Sequence, residues 1–396
     1  MAADPSPTGP LSGVTVLDLS SVGPAARCTR LLADYGALVV KVAPVPSADA
    51  SPIEPPFFAY SGHRGMRRVL VDLKDEDGRE AFLSLAAGAD VVVESFRPGV
   101  VDRLGIGYNA VKARQPGIIY CSTSGYGQDG PRSNWAGHDI DYLAVGGFLA
   151  MSTPGVDGAP PLPGATIADS AAGGMQAALA ITAALAGRAS SGEGAYLDVA
   201  VADGVLFLMS LSIDEQLALG SSPAPGHDIL SGRYACYGVY ETRDGRWLAV
   251  GAIEAKFFAN LCGALGCPEL APSQMDDAAQ PKIRAALAAA FATKDRDEWI
   301  ALLGNADTCV APVLSVAEVE GDPQFVARGA VTTAAHLTRG EVRQLAPVLA
   351  GMDRVVAGAG PVVLPDLTQT DTEHLLKEAG VAVETIAAWK ARRVVA

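Results

Sequence analysis

Along the first third of the chain, apolar residues come in short unbroken blocks separated by polar, glycine-marked breaks. This is the pattern of strands covered on both faces alternating with one-sided helices. Residues 14–19 read as a buried strand, 25–35 as a helix, and 37–42 as a second strand after a stop at Gly36. That βαβ unit is followed by a strand at 69–73, a helix near 78–87, and strands at 90–94 and 117–122. The alternation predicts an α/β fold: a Rossmann-like, doubly wound parallel sheet whose ligand lies beyond the carboxyl ends of the strands. Residues 168–186 form a long small-residue helix interrupted by Gly173 and Gly174, suited to close packing, and 204–219 a further apolar helix. After the Pro- and Ser-rich stretch at 221–226 the period changes. Residues 234–241 and 247–250 read as a hairpin around Arg243-Asp244-Gly245, followed by a helix at 256–265 and two helical runs to about residue 303. This predicts a smaller α+β domain, and the tail at 371–390 is again helical. The Pro/Ser/Ala loop at 44–56 is the one biased tract, and no internal repeat is visible.

Length agrees with this division, because 396 residues exceed one ordinary core. A net charge of −14 argues against a nucleic-acid partner, whose phosphates need a basic face. A polyanionic ligand must then be held by a local group of cations. The start, Met1-Ala-Ala-Asp-Pro-Ser-Pro7, lacks the basic and apolar regions of a signal peptide, and no apolar run reaches the roughly 18 residues of a membrane span. The expectation is a cytoplasmic protein with no membrane partner. The six cysteines are scattered; Cys262 and Cys267 are spaced wrongly for a zinc knuckle and have no histidine nearby, so reduced thiols and no metal are expected.

Familiar nucleotide and hydrolase motifs are missing. Leu19-Ser-Ser-Val-Gly-Pro24 is no Gly-x-Gly-x-x-Gly, no Walker-type loop is present, and no Gly-x-Ser-x-Gly elbow exists. Cations fall near predicted strand ends instead: Lys41, Arg64, Arg67, Arg68, Arg97 and Arg103. Each alone is a solvated surface charge; grouped at the carboxyl edge of a parallel sheet they would hold the phosphates of a nucleotide carrier. His138, in Ala136-Gly-His-Asp-Ile-Asp-Tyr142, is the leading candidate for a catalytic base, and a helix cap or core hydrogen-bonding role is the alternative. Asp169, in 166–174, follows an apolar run and precedes a small-residue helix, which suits either an N-cap or a carboxylate facing a substrate carbon. Glu254 directly follows a predicted strand in an apolar frame. There it is costly unless hydrogen-bonded, and it either pairs with backbone amides or orients the imidazole of His138.

The chain resembles the family III CoA-transferase (CaiB/BaiF) superfamily over nearly its whole length, and within it the α-methylacyl-CoA racemases. The resemblance rests on Gly9-Pro-Leu-Ser-Gly-Val14, Leu32-Ala-Asp-Tyr-Gly-Ala-Leu-Val-Val-Lys41, Glu94-Ser-Phe-Arg-Pro-Gly99, Arg103-Leu-Gly-Ile-Gly107 and Gly125-Tyr-Gly-Gln-Asp-Gly-Pro131. The His138 run, the Asp169 helix, Gly251-Ala-Ile-Glu254 and Asp307-Thr-Cys-Val-Ala-Pro-Val313 add to it. It implies that His138 and Asp169 are the two bases of a racemase, that Glu254 supports the histidine, and that Asp139 is also a site residue. It further implies a large Rossmann-like CoA-binding domain from residues 1–200 and 335–396, a linker helix at 201–225, a small α+β domain at 226–334, and an interlocked homodimer. CoA is then the substrate's carrier, and no separate cofactor is expected. The chain departs from the pattern at Ala43-Pro44, where racemases place Arg-Pro; in 160–166, which lacks an asparagine; at Gly192-Glu-Gly-Ala195; and in offering only Met209 to the acyl surface.

Removing a thioester α-proton requires a placed base and stabilisation of the enolate oxygen, for which the amides opening the Asp169 helix are candidates. The racemase reading needs a raised Asp169 pKa, so that this group donates on one face while neutral His138 abstracts on the other. The rival is a CoA-transferase in which Asp169 is the nucleophile, and a third reading is an acyl-CoA-binding scaffold without catalysis.

Overall fold

The computed structural model describes residues 9–46, 63–336, 340–347, 350–351, 362–364 and 370–396. Residues 1–8 and 47–56, which include the N-terminal segment and most of the Pro/Ser/Ala loop singled out above, lie outside them. The chain divides into two compact units. The first comprises Met1–Gly146, Pro163–Ser210 and Pro323–Ala396; the second comprises Gly147–Leu162 and Leu211–Asp322.

In the first unit, β1 (Thr15–Asp18), β2 (Leu38–Ala43), β3 (Arg67–Leu70), β4 (Val91–Glu94), β5 (Ile119–Ser124) and β6 (Ala195–Ala200) form one parallel sheet in the order 3-2-1-4-5-6. The order reverses direction between β1 and β4, the switch point beyond whose strand carboxyl ends sheets of this kind bind ligands. Val16, Val39, Val91, Val93 and Ile119 pack one sheet face against helix α1 (Gly23–Asp34) and helix Gln176–Ser191, while Phe82, Val92, Ile118 and Trp389 fill the other side. A three-stranded sheet, Val331–His336 flanked by Gly340–Leu345 and Val362–Leu364, completes this unit.

The helix expected at 168–186, interrupted at Gly173 and Gly174, extends to Ser191 and has two parts. Ala168–Met175 is a π-helical turn and Gln176–Ser191 a regular α-helix. By length and composition alone the combined Ala168–Ser191 helix meets the requirement for a membrane span, contrary to the sequence expectation. Its composition has a packing reason. A Cβ on Gly173 would come within 2.5 Å of Pro24 Cβ, and one on Gly174 within 2.8 Å of Arg27 Cβ, so small residues let the turn lie directly on the start of α1. The apolar run at 204–219 is two helices, Val201–Leu208 and Ser210–Leu219. Residues 201–210 fall in the first unit and not in a linker, because Gly204 packs on the π-helical turn with a Cβ position only 2.1 Å from the Ala172 carbonyl oxygen.

The second unit contains the expected hairpin, β7 (Tyr237–Glu241) with β8 (Trp247–Gly251), extended by a third antiparallel strand, β9 (Val310–Pro312). Helices Ala255–Ala264, Gln280–Phe291 and Arg296–Leu303 cover it around Tyr240, Leu248, Phe258, Leu261, Phe291 and Trp299. All six cysteines are free thiols, four of them buried.

Candidate active site

The loop leaving β5 is braced by aromatic rings. Tyr126 meets Trp135 and Tyr142 edge-on, with ring centroids 6.1 and 5.2 Å apart. The Tyr142 hydroxyl donates to the Gly137 carbonyl at 2.6 Å, and its ring lies only 2.4 Å from where a Cβ on Gly125 would stand. This fixes the backbone just before His138. His138 holds the N-cap position of helix Asp139–Val145, with its own N–H donated to the Asp141 carboxylate at 2.9 Å. His138 and Asp141 thus form a capping box, the helix-cap alternative expected of this histidine, and the His138 side chain is exposed.

The neighbouring Asp139 ties this helix to the next site element. Its carboxylate accepts the Asp169 N–H at 2.7 Å, joining two residues 30 positions apart. Asp169 stands in the first turn of the π-helix, a widened geometry that recurs at functional sites. Burial pushes the Asp169 carboxyl above the usual carboxylate range; Arg27 opposes that shift, Asp139 adds to it, and His138 opposes it. The direction is the one a proton donor near neutrality requires. The amides opening this turn are engaged within the protein, however: Asp169 donates to Asp139, and Ser170 donates to the Thr166 carbonyl at 3.0 Å. The expectation that they cradle an enolate oxygen is therefore corrected.

Arg27 was not singled out in the sequence. Its Nη1 lies 3.6 Å from Asp169 Oδ2. The signal that would have found it is electrostatic: α1 carries no acidic residue in its first turn, so a cation near its positive end needs an anion from elsewhere.

Glu254 belongs to the second unit. It is exposed at the N-cap position of helix Ala255–Ala264 and makes no side-chain capping bond, so neither the buried, costly setting nor the amide pairing expected of it is found.

The cations divide into two groups. Lys41 is buried on β2, its ammonium 2.9 Å from the buried Asp18 carboxylate and in contact with the Ser20 carbonyl. Its expected role as a phosphate ligand is corrected: the charge is committed to holding the β1 end against β2. Arg64, likewise buried, forks onto Asp34 at 2.7 and 2.8 Å. Arg67 lies 3.9 Å from Glu378, and Arg68 stands level with Lys41 and Asp18 in the sheet register. Arg97 and Arg103 are exposed on the segment that follows the carboxyl end of β4. Gly99, at φ 75°, makes that turn, and Arg103 Nη1 passes 3.3 Å from where a Gly99 Cβ would be.

Comparison with known proteins bears on this arrangement. The CoA-transferase family III model matches residues 11–361. The chain is 38% identical over 311 residues to the α-methylacyl-CoA racemase of Mus musculus, covering 78% of each chain. It is 32% identical over 337 residues to the acetyl-CoA:oxalate CoA-transferase of Acetobacter aceti, covering 81% of this chain and 85% of that one. Among solved structures, a CaiB/BaiF family protein from Brucella suis superposes with a TM-score of 0.76 at 28% identity, covering 94% of this chain and 99% of that one.

Proposed function

The chain belongs to CoA-transferase family III, and from that premise we propose that it is an acyl-CoA racemase inverting the α-carbon of a 2-methylacyl-CoA by a two-base proton transfer. The observation that carries the proposal is the Asp139 bridge. One carboxylate joins the His138 helix to the Asp169 turn, placing an exposed imidazole and a carboxyl raised by burial in one unit. A racemase needs such a pair: one group to take the α-proton from one face and one, already protonated, to deliver a proton to the other. In one direction neutral His138 abstracts and Asp169 donates; in the reverse direction the roles exchange. Glu254 is proposed as the partner that orients the imidazole, and Arg97 and Arg103, beyond the carboxyl end of β4, as the cations for the nucleotide portion of CoA. CoA enters as part of the substrate, no further cofactor is proposed, and the active form is an interlocked dimer.

Incubating an (R)- or (S)-2-methylacyl-CoA in deuterated buffer tests this. Each should gain deuterium at the α-carbon, and both should converge on an equal mixture. Retention of configuration without exchange overturns the proposal.

The transferase reading has one specific observation in its favour, the guanidinium beside Asp169, which favours the ionised carboxylate a nucleophile needs. In that reaction the carboxylate oxygen bonds to the thioester carbonyl, the C–S bond breaks, and CoA leaves as thiolate, giving a mixed anhydride. Hydroxylamine trapping of an acyl group on Asp169 would then replace α-proton exchange as the positive result.

A further inference from the structure

Arg27 is bound at every edge of its guanidinium. Nε donates to Ser170 Oγ at 3.0 Å, Nη2 to Thr166 Oγ1 at 2.7 Å, and Nη1 to the Gly23 carbonyl at 3.2 Å. Thr166 and Ser170 flank Asp169 in the chain, and the same Nη1 stands 3.6 Å from Asp169 Oδ2. Two features bring the side chain there. Gly174 lets the π-helical turn close onto α1 at the level of Arg27, and α1 begins at Gly23, one turn before Arg27, so that the Gly23 carbonyl lies within reach of the guanidinium. A lysine has a single point of charge and cannot occupy three divergent acceptors together, whereas the planar fork of arginine does so without further ordering.

We infer that Arg27 is a positioning residue for Asp169: a guanidinium clamped by Thr166, Ser170 and Gly23 that holds the carboxylate in place and favours its ionised form. The inference rests on the reading of Asp169 as a reacting group and adds a residue to it. Its chemical sense lies in the cycle. Burial raises the Asp169 carboxyl and so favours the form that donates a proton. The fixed cation opposes that rise and favours the form that serves as base for the return reaction. The charges facing Asp169 are those of Arg27, Asp139 and His138, and of these the arginine is the largest opposing influence.

The test reads the carboxyl directly and does not need turnover. A water-soluble carbodiimide with an amine nucleophile reacts with protonated carboxyls, and peptide mass spectrometry gives the Asp169 labelling rate against pH. In Arg27→Gln the midpoint should move upward by about 1–3 pH units, the range typical of a carboxylate losing an adjacent arginine. Thr166→Val loosens the clamp while keeping the charge and should move the midpoint the same way by less. A midpoint unmoved in both variants, with melting curves intact, overturns the inference, as does an Asp169 that the reagent never labels at any pH. Failure of the racemase reading is seen separately, as absence of α-deuterium exchange in the wild type.

Discussion

In the proposed two-base reaction His138 and Asp169 face opposite demands, since one accepts the α-proton while the other donates. Their substitutions should therefore fail in different directions. His138→Ala is expected to suppress exchange most with one enantiomer and Asp169→Ala most with the other, each by roughly 100- to 10,000-fold in enantiomer-resolved exchange assays. If His138→Ala leaves turnover intact while Asp169→Ala abolishes it, the nucleophilic reaction replaces the two-base one. A second residue-scale prediction concerns Glu94, buried at the carboxyl end of β4, accepting the Phe96 N–H at 2.7 Å and the Ser122 hydroxyl. Burial pushes its carboxyl up to about 7, against the pull of the Ser122 and Phe96 bonds and with Asp102 and Asp198 adding to the rise. The unfolded chain releases this proton near 4.5, so between the two values the folded state binds more protons and stability falls as pH rises. The full contribution is present below about 4.5 and lost on passing about 7, amounting to roughly 3 kcal/mol. Glu94→Gln cannot ionise, and urea titrations across this window should show its stability relative to wild type rising by that order; a constant difference would mean an ordinary carboxyl. His138, Asp139 and Asp169 were singled out in the sequence because each sits in a contiguous run, whereas Glu94 entered only as the start of the run that carries Arg97. Arg27 was not singled out, because its four partners come from two segments about 140 residues apart, brought together by the packing of α1 on the π-helical turn.

The glycines of the Asp169 region show what elements contribute. In an exposed helix interior, Gly→Ala stabilises by up to about 1 kcal/mol. At Gly204 the sign should reverse, because a methyl there would come within 2.1 Å of the Ala172 carbonyl oxygen and 2.5 Å of Gln176 Oε1. Gly204→Ala is expected to cost roughly 1–3 kcal/mol in urea unfolding and to lower exchange activity by displacing the turn that carries Asp169. A stabilised, fully active variant would show that the helix can shift without disturbing the site. The βα alternation from β1 to β5 was legible, since strands buried on both faces leave continuous apolar blocks. β6 was not, because its Ala195–Asp198 portion alternates half-buried with exposed positions at the sheet edge and hides in a polar stretch. The break between Val201–Leu208 and Ser210–Leu219 falls at Met209 without glycine or proline, so no residue announced it. The sheet of Val331–His336 and Gly340–Leu345 was missed for a similar reason: threonine, glutamate and arginine interrupt the apolar alternation that marks a strand.

At the scale of the whole molecule, the first unit is assembled from three separated segments, and the sequence alone gave its Rossmann-like core more clearly than its bounds. Residues 147–162 join the second unit, and the proline- and glycine-rich run Pro154-Gly-Val-Asp-Gly-Ala-Pro-Pro161 within them was not read as a change of unit. The first unit also leaves apolar side chains exposed beside the Asp169 element: Met175 (57%) and Leu179 (69%), four residues apart on one helical face, with Leu206 (48%) and Phe207 (78%) on the adjoining helix. Clustered apolar exposure of this kind is characteristic of a surface that a partner covers, which supports the proposed dimer. If the subunits interlock, folding and association are one process, and stability must depend on protein concentration. The midpoint of thermal unfolding should rise as protein is concentrated over two orders of magnitude, and sedimentation should give twice the chain mass. Phe207→Asp, which places a charge on the most exposed of these residues, should lower that midpoint and reduce sedimentation mass and exchange activity together. A variant that sediments as a monomer yet keeps full exchange activity would separate association from catalysis and refute the interlocked form.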